Sequence, residues 1–255
     1  MDKNNLQAAL SGLAVILGLS FIAGTFIVSN TFYKVKALSN VISVTGSAEK
    51  AVISDMAKWS SSFSRIVGVT GLKDGSAQLA KDLEIVKVYF AEKGITEKEM
   101  TVRPVSVTAN CQSSNDIIWD KDGQKCSKVI GYTLSQSILV ESESVDKVTK
   151  LAQESSGVLI AKGLVFNGQN VEYYFNKLAD LRMEMVSEAT KNAQQRAAQI
   201  AESADSKIGN LQAASLGVFQ VAAPNSVEIS DYGVYDNGSI EKKISITVRA
   251  SFTLK

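Results

Sequence analysis

Histidine is absent from this chain of 255 residues. Its absence excludes Ser-His-Asp and Cys-His nucleophile systems, His-bearing zinc sites and haem ligation through His. The usual acid–base side chain near neutral pH is missing, so any proton transfer falls to carboxylates, Lys or Tyr. The expectation is therefore a protein that is not an enzyme and holds no metal or cofactor. Proline occurs twice, so no Pro-rich linker divides the chain. Charge of one sign is not in excess, with 27 Lys+Arg against 26 Asp+Glu, and nucleic acid is not an expected partner.

A long uncharged run is present. Residues Leu6 to Val28 contain no charge over 23 positions, spanning about 34 Å as a helix, slightly more than a hydrocarbon core. Lys3 precedes the run; Lys34 and Lys36 follow it. The run is longer than a signal-peptide core and no clear A-x-A site follows, so an uncleaved single-pass anchor in the lipid bilayer is expected, with 1–5 as a tail and 29–40 as a stalk. Ala8/Gly12, Ala14/Gly18 and Ser20/Gly24 are small-xxx-small pairs, but they recur every six residues and do not share one face. Flanking lysines favour the domain side as cytoplasmic; long domains translocate largely regardless of such bias.

The two cysteines, Cys111 and Cys126, bracket a polar insertion within 110–128. An even count in an anchored chain fits one disulfide in an oxidising compartment, although two free thiols sharing a loop is the other reading. A closed loop of this length contributes about 3 kcal/mol in the chain-entropy model. Asp122-Gly123 is a hairpin signal that places Trp119 opposite Cys126 and requires Gln112 to Asp116 to fold back. Ile117, Ile118 and Trp119 form an apolar run there, suited to packing on the domain's own sheet or to an intersubunit contact. Asp120 to Gly123 is not a calcium loop, because Ile118 and Val129 stand at the first and twelfth ligand positions.

The remainder, 41–255, reads as α+β. Alternating runs at 41–50, 59–67, 101–109, 129–140, 159–166, 211–221 and 244–254 predict strands. Pro104 weakens the third toward an edge or bulge. Helices are expected from Ser76 to Gly94 after a break at Gly71 to Gly75, from Ser144 to Gly157, and from Val171 to Ser203. Thr96 and Glu99 form a capping-box pattern. The last helix carries Leu181, Met185, Ala189, Ala193, Ala197 and Ala201 at i,i+4 spacing, a stripe suited to close packing. A Gly/Asn/Tyr-rich loop, 222–243, contains Tyr232 and Tyr235 as candidate contact residues and Asn237-Gly238 as its turn. The order reads ββαββ then αβαββ, a weak duplication.

Several stretches together resemble the SIMPL domain (YggE-like, DUF541) family: Val41 to Glu49, Ser54-Asp55-Met56-Ala57, Gly94 to Met100, Ile130-Gly131-Tyr132, the alanines before Lys207-Ile208-Gly209, and Ile244 to Leu254. Ser47-Ala48 departs from the family's Gly-x-Gly element, and the cysteine loop has no counterpart in its pattern. The resemblance implies an envelope or periplasmic protein with an association into large rings, links to stress, and no catalytic residues. The expectation is a bacterial inner-membrane protein with its domain outside the cytoplasm, assembling as a homo-oligomeric ring or cage. A module recruiting an envelope partner through Ile117–Trp119 or Tyr232/Tyr235 is the alternative.

Overall fold

The computed structural model describes residues 16–32, 40–113, 116–120, 123–227 and 230–255. They fall into two units. One comprises Glu49–Glu184 with Phe219–Ser245; the other comprises the described parts of Met1–Ala48 with Met185–Val218 and Ile246–Lys255.

In the first of these units, strand β2 (Met56–Gly68) lies at the centre of an antiparallel sheet. Its alternation puts Ala57, Trp59 and Phe63 on one face, where they meet Leu134, Ile138 and Val140 of its neighbour β7 (Val129–Ser142). Helices α2 (Leu72–Glu92) and α3 (Val145–Ala161) bring Leu79, Val86, Phe90, Leu151 and Leu159 onto that face. Trp59 is the hub: its ring stands 5.6 Å from Phe90 and 6.1 Å from Phe166, and its Nε1 donates to Gln169 O at 2.9 Å. On β7's other side run β3 (Met100–Val102) and β4 (Ser106–Cys111), parted at Pro104 as its missing N–H requires. The hairpin strands β5 (Ile117–Asp120) and β6 (Gly123–Cys126) form a two-stranded sheet of their own. Strands β8 (Val165–Gly168) and β9 (Glu172–Tyr174) pair with the far side of β2.

Three sequence expectations are corrected here. Gly71 and Gly75 do not break the chain: Gly71 caps α2 and Gly75 lies in its first turn, where a Cβ would come within 2.5 Å of the Val67 side chain. Helix α3 runs through Gly157, because Leu159 continues the buried stripe of Val148, Leu151 and Ser155; Gly163, at φ +85°, then turns the chain. Residues 172–174 are strand rather than helix, since Tyr173 alternates into the core, and the long helix α4 is Leu178–Ser203.

In the other unit, β1 (Val41–Ile53), β12 (Glu241–Leu254) and β10 (Ile208–Leu216) stand in that order. The division between units falls inside β1, α4 and β12. The alanine stripe packs on this sheet: Ala193 and Ala197 are fully buried with Val44, Ala250 and Phe252. The approach is close enough that a Cβ on Gly46 would lie 2.2 Å from Ala189 O and 2.3 Å from Ala193 N. The expected strand 211–221 is split at Gly217 into β10 and β11 (Gln220–Ala222), which pairs with the first part of β12. The first strand pairs with the last, so the sheets do not follow the two sequence halves, and the duplication is not visible in the strand order.

Helix α1 covers 16–32 with its apolar side chains outward, Leu17, Phe21, Phe26 and Val28 among them. Its hydroxyls turn back on their own backbone: Ser20 donates to Leu17 O, Thr25 to Ile22 O and Thr31 to Ile27 O. Gly18 and Gly24 have open space where a Cβ would stand. Leu6 and Gly12, and 33–39 of the expected stalk, lie outside the described residues. Among the described residues no helix is long and apolar enough to cross a membrane.

Candidate interaction surfaces

Cys111 is fixed on β4 opposite Val129 of β7, and it forms a disulfide with Cys126, Cα to Cα 5.4 Å. The two ends of the segment expected to fold back are both tied to the chain just beyond β6: Gln112 N–H donates to Lys128 O at 3.1 Å and Ser127 N–H to Asp116 O at 2.8 Å, while 114–115 lie outside the described residues. The hairpin register differs from the expected one. Asp120 pairs with Gly123, Trp119 with Gln124, Ile118 with Lys125 and Ile117 with Cys126. Ile117 thus takes the place opposite Cys126, and Gly123 enters the strand instead of the turn. Ile117 is half-buried and Ile118 exposed; Asp122 and the Trp119 side chain lie outside what is described.

The loop between β11 and β12 is held by an internal polar frame. Gln220 braces it twice, Nε2 donating to Ser230 O at 2.7 Å and Oε1 accepting from Val234 N–H at 2.8 Å. Tyr235 is engaged by the fold: its ring stacks on Tyr174 at 5.9 Å, and its hydroxyl accepts the Phe175 N–H. Asp236 accepts from the N–H groups of Gly238 and Ser239, forming the turn expected at Asn237-Gly238. Burial opposes ionisation of Asp236, but those hydrogen bonds and Lys242 outweigh it and hold the carboxyl below its usual range.

Lys242 escaped the sequence reading. It is fully buried, and its Nζ donates to Asp236 O at 2.5 Å and to Ser239 O at 2.8 Å, with the Asp236 carboxylate at 3.4 Å. Burial pushes its ammonium below the ordinary lysine value against the pull of Asp236. A signal existed: Lys242 shares strand parity with the buried Ile244, Ile246 and Val248. With the base so pinned, the tip presents Tyr232 at 97% exposure and Val227 at 93%. Rigidly based loops with exposed tips are common binding elements.

The second enclosed ion pair lies on α2. Asp82 is buried within the apolar stripe and takes a two-pronged bond from Arg65, Nε at 2.6 Å and Nη2 at 2.8 Å. Both pairs act as struts, their charges met by neighbouring groups. Among the described residues no cluster of three or more His, Cys, Asp or Glu could hold a metal ion.

Residues 42–253 match the family model for SIMPL, a protein of unknown function (DUF541). The chain belongs to the SIMPL family. The matched span begins in β1 and ends in β12, covering residues of both units and leaving out α1. No curated protein matches the sequence. Positions that carried the SIMPL resemblance prove to be packing contacts. Gly46 admits α4, and Gly131 lies where a Cβ would come within 2.3 Å of Val67 O.

Proposed function

We propose that this SIMPL protein is tethered in the bacterial inner membrane by a single N-terminal helix. Its domain stands outside the cytoplasm and self-assembles into a ring- or cage-like homo-oligomer that organises or braces the envelope. The observation that carries the reading is the Cys111–Cys126 disulfide on a chain whose first helix turns apolar side chains outward. A disulfide fits an oxidising compartment, and hydroxyls bonded to their own helix suit an apolar medium. Ring association is what the family resemblance implies; closed rings follow from a heterologous contact repeated at a fixed rotation. A shared membrane raises effective concentration, so modest contacts suffice. A reporter enzyme active only outside the cytoplasm, fused after Lys255, is expected to be active, and light scattering in detergent is expected to give a multiple of the chain mass. An inactive reporter overturns the topology; a strict monomer overturns the assembly.

The exposed tip supports a second reading, an envelope protein partner held by Tyr232 or by Ile117–Trp119. Capture of a specific envelope protein, lost on Tyr232→Ala or Trp119→Ala with the oligomer unchanged, would favour it.

A further inference from the structure

The sheet formed by β1, β12 and β10 has two outer strands, and they are finished differently. Along β1, side chains of α4 occupy the backbone: Ser47 N–H donates to Asn192 Oδ1 at 3.2 Å, and Arg196 donates to Thr45 O at 3.0 Å. Strand β10 pairs only with β12 among the described residues, and Asn210 to Leu216 are exposed on both faces. Protein edges are ordinarily blunted by charge or proline, yet Ile208 to Val218 contains neither.

The register identifies which groups are bare. Gly217 N–H donates to Thr247 O, and bonded and non-bonded pairs alternate along an antiparallel ladder. Leu216 and Ala214, opposite Val248 and Ala250, therefore turn their N–H and C=O away from β12. Leu254 N–H donates to Asn40 O, so Phe252 likewise faces β1 and its partner Leu211 turns outward. Register shifts between Ile208 and Leu211 and between Leu211 and Ala213 take up the extra residues of β10, so Leu211, Ala214 and Leu216 stand opposite Phe252, Ala250 and Val248, every second residue of β12.

We propose that this edge pairs antiparallel with β10 of a second copy, on a two-fold axis at Ala214. That register sets Leu211 against Leu216 of the partner subunit in both directions, and the neutral strand brings no like charges together. Leu211 and Leu216, 49% and 61% exposed in the single chain, become mutual cover. The contact is isologous, so it is a different interface from the head-to-tail contact of a ring, although it shares the self-association reading.

The full-length protein in detergent, carrying Ala214→Cys, tests it; Cys111 and Cys126 are paired, so the new thiol is unique among the described residues. A short bismaleimide is expected to give a covalent dimer, and Asn167→Cys, exposed on the other unit, is expected to give none. Adding Leu216→Lys or Leu211→Lys is expected to abolish the dimer band with the unfolding midpoint unchanged. A dimer band that survives both lysines, or no Ala214→Cys band while light scattering still shows an assembly, overturns this contact alone. A monomer by both measures overturns the assembly as well.

Discussion

Lys242 shows how a single side chain organises a surface without facing it. Its ammonium meets two carbonyls and a carboxylate at the base of the loop that presents Tyr232. Lys242→Met keeps the volume and strands those acceptors, at a cost of about 2 kcal/mol. Amide exchange between Gly233 and Ile240 is expected to accelerate, with protection in β2 and β7 unchanged. Glu99 makes a pH-dependent contribution. A hydrogen bond from the Ser142 hydroxyl, then bonds from the Thr96 N–H and hydroxyl, hold its carboxyl below the usual value, and the expected capping box is formed. A depressed folded pKa stabilises above the unfolded value, about 4.3, and that contribution is lost as pH falls through the folded one. Glu99→Gln is therefore expected to lower the denaturation midpoint at pH 7, with the two midpoints converging as pH falls below the depressed folded pKa.

At the scale of elements, two positions beside α4 carry strain or closeness. Helix α4 ends on Asp205 at φ +53°, while Ser206 N–H donates back to Ala201 O at 2.8 Å. That left-handed cap favours glycine, and Asp205→Gly is expected to raise stability by about 1 kcal/mol in chemical denaturation. Gly46 has the opposite character. A methyl there strikes the backbone of α4 at Ala189 and Ala193, which cannot swing aside, so Gly46→Ala is expected to cost about 3 kcal/mol in the same measurement. The β5–β6 hairpin is a two-stranded sheet, a form marginal in water without support. Cys111→Ser with Cys126→Ser is expected to open residues 112–125 to limited proteolysis, while β2 and β7 stay intact.

For the whole molecule, function turns on which surfaces remain uncovered once each unit has closed its core. Among the described residues the apolar outside of α1, the Tyr232 tip and the edge of β10 are such surfaces, and we propose lipid, a partner protein and a second copy as their respective neighbours. The proposed reporter fusion, light scattering and cross-linking separate them, because topology, mass and contact register fail independently.

Patterns of period 2 and 3.6 were legible in the chain because burial on one face repeats along it. They located β1, β2, β7, β12 and the alanine stripe of α4, and the ordered motifs located the family. The two cysteines and the Thr96/Glu99 cap were also readable, since local spacing and residue chemistry suffice for them. Element ends were less so: Gly71, Gly75 and Gly157 look like breaks until one sees that Val67 packs closely on the first two and that Leu159 continues the buried stripe of α3 past the third. Only tertiary structure decided that the first strand pairs with the last, that Lys242 is buried under a loop, and that α4 side chains bond to one sheet edge while the other pairs with no further strand among the described residues. Those facts depend on groups far apart in the chain meeting in space, which no local periodicity encodes.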